Sequence, residues 1–133
     1  EVAVLDTPAG IYGAAVTQLL RRADALLVPV LPSPIDMRAA ARLIGDLLKS
    51  GRIARGQTRV GLIANRVREN TRIYQILDDF LAEYDIPLLT HLRESQSYIR
   101  SAETGLGIFE LAPSQVAADV VQWDPVIEWL LRG

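Results

Sequence analysis

Strand-like apolar runs alternate with helix-like patterns along this chain of 133 residues, and the alternation limits the folds it can adopt. Four apolar runs predict buried strands, at residues 2–6, 25–31, 59–65 and 86–92. Between them, apolar residues recur at helical spacing over residues 14–22, 35–50 and 71–84. Because helical crossovers join parallel strands, the sequence predicts one α/β domain with a mostly parallel, doubly wound sheet.

The last third of the chain has a different pattern. Residues 93–106 predict a polar loop with at most one helical turn, whereas Pro113 and the Asp124-Pro125 pair each predict a helix start. Trp123 and Trp129 accompany apolar neighbours, so we expect them to pack the last helix.

The first apolar run ends in Asp6 and is followed at once by Pro8 and Gly10. A buried parallel strand of this kind delivers its carboxylate to the carboxyl edge of the sheet, where ligands bind in such folds. Proteins bind Mg²⁺ through one or two carboxylates, and a glycine lets the backbone approach a phosphate closely. Asp6 is therefore a candidate magnesium ligand, and a turn or cap carboxylate is the alternative. We expect the 32–34 loop, Asn65 and residues 92–94 at the same edge.

Composition excludes several classes of protein. The chain has no cysteine, which rules out disulfides, thiolate metal sites and cysteine nucleophiles. Its one histidine, His91, predicts a structural residue rather than a metal site. No apolar run approaches the roughly 18 residues of a membrane span, and no signal peptide opens the chain. These features fit a cytoplasmic protein that does not bind membranes.

Four segments resemble, in order, those of the ParA/MinD group of deviant-Walker ATPases, with ParA the better match. They are Val4–Gly10 for Walker B and switch II, Val28–Asp36 for the next strand and loop, Ile63–Val67 for the base-side strand, and Tyr98–Gly105 for the late Ala-x-x-Gly segment. The resemblance implies a P-loop NTPase fold, ATP and Mg²⁺ as cofactors, and an ATP-linked dimer.

The resemblance also implies residue roles. Asp6 would hold Mg²⁺ through water, and Gly10 would sense the γ-phosphate. Asn65 would face the adenine, and Arg93 would lie near the base. The lysine-rich P-loop and switch I are missing, so no complete catalytic set is present. Residues 1–133 are thus expected to be the carboxy-terminal portion of a ParA-like ATPase domain, unable by itself to hydrolyse ATP.

The resemblance implies a P-loop strand beside the strand that ends at Asp6, so its absence from these residues has a structural consequence. Either the flanking strands close up, or another chain fills the gap as a homodimer or swapped oligomer.

Partners follow from the resemblance as well. Plasmid or chromosome segregation would involve a ParB-like activator and DNA bound without sequence preference. Candidate DNA contacts fall in two groups, one being Arg52, Arg55 and Arg59 and the other Arg66, Arg68 and Arg72. A solvated charged face is the alternative, since the net charge is −2. Two other functions stay open, a cobyrinic acid a,c-diamide synthase-like P-loop domain and a non-catalytic dimerisation or binding module.

Overall fold

A computed structural model describes residues 1–133 and contains one parallel sheet of three strands flanked by helices. The strands are β1 (Ala25–Val30), β2 (Arg59–Val67) and β3 (Leu88–Arg93), in the order β1-β2-β3. The helices are α1 (Ala14–Leu20), α2 (Pro34–Leu48), α3 (Gly51–Ala54), α4 (Arg72–Ala82), α5 (Gln96–Thr104), α6 (Pro113–Val120) and α7 (Asp124–Leu131). Single 3₁₀ turns occupy Ile108–Glu110 and Val121–Trp123. The α/β class and three of the four predicted strands are confirmed.

The predicted strand at residues 2–6 is wrong. Residues 1–10 are exposed and make no backbone hydrogen bond. A strand forms only when a neighbour completes its hydrogen-bond ladder, and β1 pairs with β2 alone. The expected closing of the sheet around the missing strand is therefore wrong too, since the other edge of β1 stays unpaired. Its position at an edge explains how β1 accommodates Pro29, which cannot donate to a ladder.

Side-chain caps set the starts of the two long predicted helices. The Ser33 hydroxyl accepts a hydrogen bond from the Asp36 amide at 3.2 Å, with Pro34 at the first helical position. The Thr71 hydroxyl accepts one from the Tyr74 amide at 3.3 Å. None of the helices combines the length and the hydrophobicity that a membrane span requires.

Two short helices lie outside the helices that the sequence predicts. Helix α3 begins at Gly51, directly after the predicted helix over residues 35–50, because Ser50 supplies a new cap. Helix α5 replaces most of the predicted loop at residues 93–106. It starts at the capping hydroxyl of Ser95 and ends at Gly105, whose φ of 71° is left-handed and favours glycine.

The two faces of the sheet are covered unequally. Alternation along β2 sends Leu62 and Ala64 to one face and Ile63 to the other. We call the first the closed face, because α1, α2 and α4 cover it with a cluster of 15 buried residues. The second is the open face, where only Ile63, Leu92 and Val126 form a buried cluster, with Trp123 against it. The expected packing role of Trp123 is confirmed.

Candidate functional site

A cleft of about 1950 Å³ lies along the open face. Its walls come from residues 1–7, from all three strands and from helices α5 and α7. It runs from Asp24, just before β1, to Glu94, just after β3. The open face therefore offers a long concave surface, the kind of surface on which ligands bind.

Three of the predicted nucleotide-site residues line this cleft. Asp6 lies in the unpaired amino-terminal segment, Asn65 follows Ile63 on β2, and Arg93 ends β3. None of the three side chains is hydrogen-bonded to another, so they share a cleft without forming a joined cluster. Gly10 is not part of its wall, but its φ of 75° is the left-handed conformation that glycine permits.

Asp6 presents a free carboxylate, with no ion pair or hydrogen bond within the chain. No group of three or more aspartate, glutamate or histidine side chains that could hold a metal ion exists in the structure. One carboxylate is enough for Mg²⁺ only when water and phosphate oxygens complete the octahedron. The donor set therefore fits water-mediated coordination and does not fit a protein-built metal cage.

The three strands deliver their carboxyl ends to one edge, where a smaller cavity of about 250 Å³ lies. Its walls include Pro32 after β1, Arg66 and Arg68 at the end of β2, Thr71 before α4, and Glu94 after β3. The predicted meeting is thus confirmed for the 32–34 loop and for residues 92–94, each through one residue, whereas Asn65 lines the cleft of the open face and not this cavity.

Glu94 connects two arginines at this edge. Arg66 donates from Nη2 to Glu94 Oε1 at 3.1 Å, and Arg68 donates from Nε to Oε2 at 2.5 Å. These bonds, with that of Arg68 the stronger, lower the pKa of the Glu94 carboxyl. Arg66 itself has a positive φ of 53°, where the pairing of β2 and β3 is irregular.

Arg93 is held by a buried carboxylate. Its Nε donates to Asp119 Oδ1 at 2.5 Å, and the Ser95 hydroxyl donates to Asp119 Oδ2 at 2.7 Å. Asp119 is completely buried, and the hydrogen bond from Arg93 lowers the pKa of its carboxyl. The same bond raises the pKa of the Arg93 guanidinium. Asp119 was missed from the sequence, although its place three residues after Val116 on the buried side of α6 indicates a buried partner.

The six candidate DNA arginines do not form one surface. Arg52, Arg55 and Arg59 lie at the start of β2 and Arg66, Arg68 and Arg72 near its end. Arg59 and Arg66, the nearest members of the two groups along the chain, both lie in β2, seven residues and therefore about 23 Å apart.

Arg59 has a structural contact in the first group. It donates from Nη1 to the Trp129 carbonyl at 2.6 Å and its guanidinium lies 4.4 Å from the centre of the Trp129 ring. It thereby fastens the end of α7 to the start of β2. Arg52 donates from Nε to Thr58 Oγ1 at 3.4 Å, while Arg55 and Arg72 make no ion pair or side-chain hydrogen bond.

His91 packs within the domain. Its Nε2 lies 2.6 Å from Asp78 Oδ1, and its ring stacks on Tyr74 with centroids 5.2 Å apart. These contacts join β3 to α4 and are those of a structural histidine.

No family model matches the chain. It is similar to the protein "Maintenance of carboxysome distribution protein A" of Halothiobacillus neapolitanus, with 27% identity over 123 residues. The match covers 91% of this chain and 56% of the relative, so the chain spans about half the length of that protein. This distant, partial similarity agrees with the resemblance to the ParA/MinD group.

Proposed function

We propose that this chain is the carboxy-terminal portion of a ParA-like ATPase domain that positions or partitions a cargo through ATP-dependent dimerisation. One observation carries the proposal. The similarity to a carboxysome distribution protein extends over 91% of the chain, a span long enough to include motifs from the first strand-like run to α5. The name of that relative, which describes carboxysome distribution, favours positioning over the synthase alternative.

The proposed residue roles agree with their placement. Asp6 would hold Mg²⁺ through water, and its carboxylate has no competing partner in the chain. Gly10 has the backbone freedom to bring its amide to a γ-phosphate. Asn65 would meet the adenine from the wall of the cleft. The Arg93 side chain is 48% exposed despite its bond to Asp119, so its free side could lie along the base.

The finer functions are part of the same proposal. DNA bound without sequence preference would serve as the surface on which the cargo moves. The cargo that we propose is a plasmid or chromosome undergoing segregation. A ParB-like partner would stimulate turnover, and the protein would act in the cytoplasm as a homodimer. Arg55 and Arg72 are the DNA candidates whose side chains are unengaged. Affinity through such contacts should fall linearly in log K with log salt.

The test uses the longer protein that contains this chain, with Asp6→Asn compared with Asp85→Asn. Asp85 is exposed, carries the same charge and lies before β3, at the other end of the strands. Loss of metal-ion stabilisation costs several kcal/mol, so Asp6→Asn should lower ATP turnover by more than about tenfold. It should also abolish the ATP-dependent dimer in light scattering, while Asp85→Asn changes neither.

Two results would contradict this proposal. One is turnover that survives in Asp6→Asn at the level of the Asp85→Asn control. The other is ATP hydrolysis by the purified chain of 133 residues, since it lacks the phosphate-binding loop.

A further inference from the structure

The carboxylate of Glu94 occupies the space between two arginines at the carboxyl edge of the sheet. We propose that these residues form a gated anion site, in which a phosphate group displaces Glu94 from Arg66 and Arg68. This inference rests on the proposed function, because that function supplies the phosphate ligand. It deepens the function by naming the two arginines that contact the phosphate and the Glu94 carboxylate that competes with it.

The strand register builds the site. Val67 pairs with Arg93, and the amide of the next residue, Glu94, donates to the Val67 carbonyl at 2.9 Å, which holds Glu94 at the end of β2. Arg66 and Arg68 flank Val67 where the pairing of β2 and β3 is irregular, and Arg66 has a positive φ of 53°. With this local backbone, both guanidinium groups reach the same carboxylate, one to each of its oxygens. Any anion that takes the place of that carboxylate meets two positive charges already brought together.

The ion pairs between Glu94 and the two arginines are weak enough for a ligand to replace them. The side chains of Arg66, Arg68 and Glu94 are 64%, 73% and 35% exposed, so water screens both ion pairs. Exposed pairs of this kind add little to the stability of a fold. A phosphate group offers the arginine forks more oxygens than a carboxylate, in a geometry that they bind bidentately.

The adjoining cavity of about 250 Å³ gives a phosphate group a way in. Thr71 and Pro32 form part of its wall together with the two arginines. The two arginines exceed the single carboxylate by one positive charge, so the site attracts anions even with Glu94 in place. Glu94 then acts as a gate, because it lowers the charge presented to a ligand without cancelling it.

The test compares Glu94→Gln with Glu69→Gln in the chain of 133 residues. Glu69 is exposed, precedes α4 and forms no ion pair, so both variants remove one negative charge but only Glu94→Gln frees the arginines. The probe is a fluorescent 20-base-pair duplex of arbitrary sequence, followed by polarisation over a range of salt. Glu94→Gln should bind at least about threefold more tightly at low salt, with a log–log salt slope steeper by about 1.

Further variants locate the effect. Adding Arg66→Gln or Arg68→Gln to Glu94→Gln should return the affinity to the wild-type value or below. Competition with inorganic phosphate and with ATP identifies the source of the anion. Displacement of the duplex by either small anion at millimolar concentration indicates a nucleotide phosphate, and resistance to both indicates the DNA backbone. Either result supports an anion site, and thermal melting followed by circular dichroism verifies that each variant is folded.

The inference is overturned if Glu94→Gln binds the duplex no better than Glu69→Gln, including the case in which neither binds. It is also overturned if removing the arginines leaves the gain in affinity intact. Neither result affects the Asp6→Asn comparison, which measures ATP turnover and dimerisation. Failure of this site and failure of the proposed function can therefore be told apart.

Discussion

The closed and open faces of the sheet differ in how many residues they bury and in which one carries the cleft. On the closed face, three helices cover the strands and 15 buried residues form one cluster. On the open face, three buried residues suffice, and a cleft of about 1950 Å³ lies beside them. Most of the stabilising burial is thus on one side, while the candidate nucleotide residues Asp6, Asn65 and Arg93 lie on the other.

This contrast predicts that substitutions affecting stability and substitutions affecting ligand binding lie on different faces of this chain. The free energy gained by burying apolar side chains scales with the apolar area removed from water. The closed face therefore supplies most of the hydrophobic stabilisation. The open face retains polar and exposed side chains, which weaken a core but bind ligands. Substitutions on the two faces should therefore differ in what they cost, and the following predictions examine that difference.

The largest effect should come from neighbouring residues of β2 that point to opposite faces. Leu62 is 0% exposed within the large cluster, and Ile63 is 3% exposed beside the cleft. Leu62→Ala should cost about 4 kcal/mol of unfolding free energy and Ile63→Ala about 2, because a cavity next to a cleft relaxes more readily. Urea denaturation measures both. Equal costs, or a larger cost for Ile63→Ala, would break the contrast between the faces.

A smaller effect should come from Asp119, the buried carboxylate beneath the open face. Asp119→Asn weakens its charged hydrogen bonds to Arg93 and Ser95 and should cost about 2 kcal/mol at neutral pH. The pKa of this carboxyl is lowered in the folded state, so its contribution is complete above the ordinary pKa near 3.8 and is lost as the pH falls through the folded-state value.

Unfolding measured from pH 7 to pH 2 should therefore show an acid-dependent loss in the wild-type protein that is smaller in Asp119→Asn. Asp85→Asn, at an exposed position, is the control and should leave the acid profile unchanged. If Asp119→Asn keeps the full acid dependence, the carboxylate is not the group responsible.

The smallest effect should come from the cap of α4, which belongs to the closed face. Thr71→Ala removes the hydroxyl that accepts from the Tyr74 amide and should cost about 1 kcal/mol. Thr17→Ala, on an exposed position of α1, should be close to neutral by the same thermal or urea measurement. A cost above that of Ile63→Ala would mean that helix ends matter more than the faces do.

Local signals made much of this fold predictable. Apolar periodicity located β1, β2, β3 and the helices α1, α2 and α4, and Pro113 marked the start of α6. The failures have a common cause. Residues 2–6 have the composition of a strand, but a strand depends on a partner that is distant in the sequence. The α5 helix was missed because its buried positions are the polar residues Ser97 and Ser101, although Ser95 and Gly105 carry cap signals.

The candidate site was predictable only in part. The order of parallel strands was enough to place Asn65, Arg93 and Glu94 near the strand ends. It could not reveal which carboxylate each arginine meets, because pairs such as Arg93 with Asp119 join residues far apart in sequence. Arg59 was expected to be a surface cation, and its bond to the Trp129 carbonyl depends on where α7 docks.

Arg93 and Glu94 are consecutive, yet one bonds inward to Asp119 and the other outward to Arg66 and Arg68. A single peptide bond thus joins the solvent side of the sheet edge to the carboxy-terminal helices. The side chains of these two consecutive residues therefore divide the contacts of the sheet edge, one set going to the β2 arginines and the other to α6, which carries Asp119.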